Sequence, residues 1–285
     1  MKTVASVEEM RMLVRSIRTG GKRIALVPTM GALHRGHLSL VELARKHAEV
    51  TVVSIFVNPT QFGPNEDFMK YPRPFDEDCC KAETAGCNVV FAPSADEMYP
   101  PRHATAVTVD GITGRLCGRT RPTHFRGVTT VVTKLFNIVQ PHFAVFGAKD
   151  AQQVRVIRRM VEDLHSPVDI LVGPIVREDD GLALSSRNVY LTPEERTVAV
   201  LISSGLNEVK HVYEAGERSS RELLKILRQV YAQSLLIEQE YCEIVDLQSL
   251  EPVERITDPV LLAVACRMSH SGTRLIDNTV LGGSL

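Results

Sequence analysis

The sequence predicts an α/β fold, a doubly wound parallel sheet over residues 1–176 followed by a smaller α+β domain over 177–285. Three observations carry that prediction. The runs Ile24–Val27 and Val50–Val57 are apolar and β-branched almost throughout, as strands buried on both faces of a parallel sheet require. Amphipathic stretches at helical spacing separate such runs, and strands that alternate with helices build parallel sheets. The pattern then changes at Pro174–Asp180: two long helical stretches follow, and after them three apolar strand-like runs.

Composition limits the class. The 285 residues suffice for two domains. Lys plus Arg (33) nearly balance Asp plus Glu (34), giving a net charge of −1, so the chain lacks the basic field of a large nucleic-acid partner. No apolar run reaches membrane-spanning length and the N-terminus lacks a signal peptide's apolar core, so no membrane association is expected. The six cysteines form no CxxC pair and read as reduced, mostly buried thiols of a cytoplasmic protein.

Taken in order, Ser6 and Glu9 form a capping-box signature, and Met10, Leu13, Val14 and Ile17 make one helical face ended by Gly20-Gly21. Strand Ile24–Val27 enters a turn containing Pro28, Gly31 and Gly36, and a helix is predicted from His37 to Ala48. Strand Val50–Val57 leads into a long stretch rich in Pro, Gly, Asn and Asp, Asn58 to Arg73 and beyond. A helix to Ala85 and strands at Asn88–Ala92 and Ala106–Val109 follow. Gly111–Gly127 carries Arg115, Arg119, Arg121 and Arg126, a loop that could close over phosphates or simply be solvated. Helix Gly127–Val139, strand Phe143–Phe146, a helix with Val154, Ile157, Val161 and Leu164 as its stripe, and strand Val168–Val172 complete the first part. Beyond the boundary, helices are expected at Pro193–Glu214 and Ser219–Leu236, and strands at Glu243–Leu247, Val260–Cys266 and Leu275–Leu281.

Chemistry collects where strands end. A helix opening offers unpaired N–H groups and a positive dipole end, which favour phosphate. His34 and His37 stand three apart at such an opening, so one turn can present both rings, and Gly36 between them lets a ligand approach the backbone. The arrangement reads as a nucleotide triphosphate site. A zinc pair is the competing reading, but no nearby Cys, Asp or Glu supplies a third ligand. Asn58 and Gln61 lie just past a strand end, placed either to hydrogen-bond a polar substrate or to hold a surface turn. Lys149 offers a point charge to phosphate, Asp150 can accept from a ribose hydroxyl, and Gln153 lies on the first turn of the helix that follows. Ser185, Ser186 and Arg187 put two hydroxyls beside a guanidinium that can bind phosphate oxygens in a bidentate way.

Together the segments PTMGALHRGH, FVNPTQFGPNEDF, YPR, HFRGV, KLFNIVQP, FGAKDAQQ and VREDDGLALSSRN, in this order, resemble the pantothenate synthetase (pantoate–β-alanine ligase) family over residues 23–196. That family belongs to the HIGH-type nucleotidyltransferases. The resemblance implies a Rossmann-like sheet and an ATP- and Mg²⁺-dependent ligation in two steps. Pantoate attacks the α-phosphorus to give pantoyl adenylate and pyrophosphate, and β-alanine then displaces AMP to give pantothenate. Met30, Gly31, Ala32, Leu33, His34, Arg35, Gly36 and His37 match the first ATP segment. Gly147, Ala148, Lys149 and Asp150 match the second, and Leu184, Ser185, Ser186 and Arg187 the third, which grips the β- and γ-phosphates. His37, His34, Lys149 and Arg187 take the catalytic roles, and Val176 a backbone contact with adenine. Gln61 and Gln153 match residues that hold pantoate, with Asn58 beside them, and Gln61 also matches a β-alanine contact. The family implies a homodimer as well.

Ala148 and Ala151 depart from the family's usual Glu and aromatic residue, and the missing carboxylate is expected to leave Lys149 less restrained. The mixed anhydride must be kept from water, which gives the Asn58–Arg73 loop and a closing second domain a use as covers. Three other readings compete: a different HIGH-type nucleotidyltransferase, an amino-acid activator of the tRNA-synthetase type, and a non-catalytic nucleotide-binding protein. The paired glutamines count against the first. The short chain and the missing KMSKS loop count against the second, and the intact His34, His37, Lys149 and Arg187 against the third.

Overall fold

A computed structural model describes residues 1–64 and 66–285. Asn65, within the predicted Asn58–Arg73 loop, lies outside the described residues. The chain forms two compact units, and the partition is not a single cut. The first unit holds Met1–Thr113, Arg121–Gly147 and Val156–Pro174. The second holds Gly114–Thr120, Ala148–Arg155 and Ile175–Leu285. The division expected between residues 176 and 177 therefore falls two residues after the last crossing, and it misses the two short earlier segments that cluster with the second unit.

The first unit is built on β1 (Lys2–Val4), β2 (Ile24–Thr29), β3 (Val50–Ile55), β4 (Val89–Phe91), β5 (Phe143–Gly147) and β6 (Asp169–Gly173). These make one parallel sheet of order β1-β4-β3-β2-β5-β6. The helices are α1 (Val7–Thr19), α2 (Arg35–Arg45), α3 (Phe75–Thr84), the short α4 (Ala95–Met98) and α5 (Cys117–Thr120, in the second unit), and α6 (His124–Val139). Ala25 and Val27, Val53, Val90 and Val145 share one sheet face and pack with Leu40, Val41 and Ala44 of α2 and Ala82 of α3. On the other face, α6 lies on β2 and against α1. Strand order reverses between β2 and β5, the place where such sheets bind ligands at the carboxyl ends of their strands. β2 ends at Thr29, five residues before the His34 cap of α2, and β5 ends at Gly147.

Two local expectations fail here. Ala106–Val109 is not a strand: the Val107 N–H donates to Thr130 Oγ1 and the Val107 carbonyl accepts from Thr129 Oγ1. Hydroxyls on α6 thus satisfy the backbone that a neighbouring strand would otherwise pair. Conversely, Lys2–Val4 is a strand that the pattern did not mark. At three residues it is too short to show a period, and its pairing partner, β4, lies more than eighty residues away.

The chain continues through α7 (Ala151–Asp163), α8 (Pro193–Val198), α9 (Val200–Glu214) and α10 (Ser220–Tyr231) to β7 (Ile237–Asp246), β8 (Val260–Met268) and β9 (Arg274–Leu281). In the second unit, β7-β8-β9 form an antiparallel sheet covered by α9 and α10. Gly205 lets these helices meet closely, since a Cβ there would lie 2.7 Å from the Tyr231 ring. The buried Tyr231 hydroxyl donates to the Ile202 carbonyl at 3.0 Å. The predicted 193–214 helix divides at Ala199, and Glu195 of α8 serves both its own cap and the β8–β9 turn. Its carboxylate accepts the N–H groups of Thr192 (3.1 Å), His270 (2.8 Å) and Ser271 (2.8 Å).

Burial alone would raise the Glu195 pKa, but the donors from Ser271, Thr192 and His270 outweigh it and hold the carboxyl at about 2. A depressed carboxylate pKa adds stability above the unfolded value, and that stability drains away as pH falls from about 4.5 toward 2. Glu195→Gln retains one acceptor oxygen but sets an NH₂ group among N–H donors. It is expected to lose about 2–3 kcal/mol at pH 7 and to show a flatter acid dependence than the parent, read by urea unfolding over a pH series.

Candidate active site

The predicted residues fall into two groups, one in each unit. In the first, α2 begins at Arg35, two residues before the predicted start, because His34 is its N-cap. His34 Nδ1 accepts the Gly36 N–H at 3.1 Å, and His37 Nδ1 accepts the His34 N–H at 3.3 Å. The two rings stack with centroids 4.0 Å apart. This is a capping box made of imidazoles, where hydroxyl and carboxylate are usual. In a neutral ring, an Nδ1 that accepts leaves the proton on Nε2, so both histidines are set as Nε2–H donors. The expectation of bare helix amides needs correction: Gly36 N–H goes to the His34 ring, and His37 and Leu38 N–H to the His34 carbonyl. Two backbone N–H groups at the helix start are thus taken up by ring nitrogens.

The turn before the helix is tied down from α3. Asp78, 1% exposed, accepts the Ala32 N–H at 2.7 Å and the Leu33 N–H at 2.6 Å. Lys81, one turn later, donates to the Leu33 carbonyl at 2.8 Å and pairs with Glu77. Burial raises the Asp78 pKa against the two N–H bonds and Lys81, which lower it. Gly31 and Ala32 have φ of +84° and +50°, and a Cβ on Gly31 would stand 2.9 Å from Asp78 Oδ2. Gly31 N–H donates to Thr29 Oγ1, whose hydroxyl donates to the Ser54 carbonyl. Leu33 spends its side chain in the core and its backbone on Asp78 and Lys81; Arg35 is exposed.

Asn58 is buried at the end of β3, and its amide is fully engaged by protein. Nδ2 donates to Gln61 Oε1 (3.1 Å) and the Gly127 carbonyl (3.2 Å). Oδ1 accepts from Tyr99 (2.8 Å) and Thr60 (2.9 Å). It therefore orients Gln61 and not a substrate. Gln61 is turned with Oε1 toward Asn58 and Nε2 toward Met30 Sδ at 3.1 Å, so its amide presents N–H donors on the Met30 side. Gly127 of α6 lies against Thr60 so closely that a Cβ would collide with the Thr60 backbone, which gives the HFRGV glycine its purpose. Arg121 makes two bonds to Glu66, and together with His124 it binds the Gln61 carbonyl.

In the second unit, Ala148–Asp150 form a single 3₁₀ turn before α7. Burial lowers the Lys149 pKa against the opposing pull of Asp150 and Asp277, while Arg187 and Arg274 lower it further. Lys149 and Arg187 thus share one field with those carboxylates. Val176 carries the Leu184 N–H on its carbonyl at 3.0 Å, and Arg177 bridges to Ala183, so residues 176–184 form a small turn-back. Ser185 Oγ accepts the Arg187 N–H at 3.2 Å. Gln153 is half-buried with no hydrogen-bond partner for its amide among the described residues, whereas Gln152 is spent on Arg115 and Cys117. Arg115 and Arg119, predicted as possible phosphate clamps, pair with Glu251 and Glu243. Among the described residues no three His, Cys, Asp or Glu side chains group to hold a metal ion.

Asp78, Lys81 and Tyr99 were invisible to sequence reasoning, as were Asn278 and Asp277, which bind the second-unit loops. Asp78 follows Asp76 and Glu77 in the first turn of α3, where acids suit any helix start. Only the tertiary fold shows that the third acid turns inward.

Comparison with known proteins identifies the family. A family model described as Pantoate-beta-alanine ligase matches residues 2–280. The pantothenate synthetase of Acetivibrio thermocellus is 51% identical over 282 residues, covering 99% of each chain. That of Geobacter sulfurreducens is 52% identical over 286 residues, again 99% of each. The crystal structure of pantothenate synthetase from Thermus thermophilus aligns at a TM-score of 0.93 with 44% identity, covering 98% of this chain and 99% of that one. A pantoate-beta-alanine ligase from Francisella tularensis, complexed with β-γ ATP and β-alanine, aligns at 0.81 with 31% identity, covering 100% and 99%.

Asp78→Asn tests the anchor of the histidine turn. The amide can accept from only one of the two N–H groups and sets its NH₂ against the other. Unfolding free energy is expected to fall by about 1–3 kcal/mol, the cost of a buried donor left unpaired. Urea titration gives the value.

Proposed function

The chain belongs to the pantoate–β-alanine ligase family and forms pantothenate from pantoate and β-alanine with ATP; from that premise we infer that it works through a pantoyl adenylate. The observation that carries this reading is the His34–His37 cap, which fixes two Nε2–H donors at the carboxyl end of β2. Pantoate's carboxylate is ionised at neutral pH and needs no base. What the reaction requires is alignment and compensation of the charge that develops on the α-phosphoryl oxygens, work suited to preorganised donors. His37 and His34 supply them, while Lys149 and Arg187, with Ser185 and Ser186, take the β- and γ-phosphates. Gln61, its amide nitrogen on the Met30 side, and Gln153 hold pantoate by its polar groups, and Gln61 later meets the amine. Gly147, Asp150 and Val176 serve the nucleoside end. In the second step β-alanine's amine attacks the acyl carbon and AMP leaves.

Magnesium enters in this reading as part of the MgATP substrate, a role consistent with its preference for substrate phosphates over an all-protein cage. We further propose a homodimer, on the family resemblance, and a cytoplasmic location, with which six free thiols agree. No described helix is long and apolar enough to cross a membrane.

ATP–pyrophosphate exchange tests the route. Exchange is expected with pantoate alone, and a requirement for β-alanine would refute a free adenylate. His37→Ala is expected to lower kcat on the order of 10²–10³-fold with a much smaller change in the KM for ATP, since the donor serves the transition state. Steady-state kinetics decide it: a KM that rises as much as kcat falls assigns the ring to ground-state binding.

A further inference from the structure

Lys149 carries its charge on a long flexible stem, so its aim depends on how firmly its backbone is held. The turn that bears it is one 3₁₀ turn, Ala148–Asp150, and the side chain at 148 is only a methyl group. Its restraint comes from β9. Asn278, 5% exposed, donates from Nδ2 to the Ala148 carbonyl at 3.0 Å and to the Lys149 carbonyl at 2.9 Å. An amide nitrogen has two N–H groups, and here each has a carbonyl of its own. Asn278 is itself fixed, paired with Ala263 of β8, and its backbone N–H donates to Asp277 Oδ1 at 2.8 Å. Asp277 in turn holds Arg177 through two bonds of 2.6 and 3.0 Å, and Arg177 also donates to the Gly181 carbonyl. Two adjacent residues of one strand thereby fasten the lysine turn and the 176–184 turn-back that leads to Arg187.

We propose that Asn278 is a positioning residue for adenylation, acting on the reaction through Lys149. The proposal rests on the reading of Lys149 as a phosphate ligand. The clamp grips carbonyl oxygens, so it does not depend on the side chain at position 148.

A double-mutant cycle in pantoate-dependent pyrophosphate exchange tests it, with Asn278→Ala, Lys149→Ala and the double variant, each corrected for folded fraction by circular dichroism. Asn278→Ala is expected to reduce exchange about 10–100-fold in the parent, the scale of loss that a misplacement of about 1 Å can cause. It is expected to reduce exchange no more than about twofold when Lys149 is already alanine. An equal loss in both backgrounds, or a loss that follows only the folded fraction, overturns the positioning role. Parent-like exchange by Lys149→Ala overturns the reading of Lys149 itself, and that outcome is distinct from a crippled Lys149→Ala beside an unaffected Asn278→Ala. Should Asn278→Ala fail to fold, Asn278→Ser, whose hydroxyl can serve only one carbonyl, takes its place with the same criteria.

Discussion

The first unit depends on an exchange between backbone and side chain at the start of α2. A helix opening leaves N–H groups that need acceptors, and here two imidazole Nδ1 atoms provide them. The cap thereby decides which nitrogen of each ring holds the proton and where it points. The same pair of bonds that caps the helix also sets the orientation of both rings. The rings are aimed only as well as the turn before them, and that turn has two residues at positive φ. Asp78 makes this conformation tenable by accepting two consecutive N–H groups, and Lys81 closes the set on the carbonyl side. The raised pKa of Asp78 is the cost of keeping that acceptor out of water.

Much of this was legible in the chain because it is local. Strand, glycine turn, paired histidines and helix all lie within about twenty residues, and apolar spacing reports them directly. The antiparallel strands of the second unit were also located, though short at one end: β7 begins at Ile237, before the predicted Glu243. What sequence could not report was where the backbone of irregular segments finds its partners. Ala106–Val109 has the composition of a strand and is satisfied instead by threonine hydroxyls on α6. Asn58 lies where a substrate ligand belongs, yet its amide is consumed by Gln61, Gly127, Tyr99 and Thr60. Each case includes contacts between residues far apart in sequence, which leave no period and no motif.

The arginines show the same limit for charge. A run of guanidinium groups among glycines reads as a phosphate clamp, but Arg115, Arg119 and Arg121 meet Glu251, Glu243 and Glu66. Those acids come from other parts of the chain, so three of the segment's four arginines are paired in the fold, while Arg126 stays exposed. Lys149 contrasts with them. Burial pulls its pKa down, so its ammonium sits where solvation is poor.

Both units divide labour in one way. The groups proposed to meet substrate sit in compact stretches, residues 30–37 and 148–150, whereas a buried polar side chain from a distant element fixes each stretch by its backbone. Asp78 accepts N–H groups in one unit, and Asn278 donates to carbonyls in the other. These anchors grip main-chain atoms, so the contacts themselves do not involve the side chains of the segment they hold. They are themselves narrowly constrained. A carboxylate at 278 would face two carbonyl oxygens and an amide at 78 would face an N–H group, each a buried polar mismatch of the costly kind. A chain could therefore keep every residue of its recognisable motifs and still misalign the reaction through one substitution at position 78 or 278.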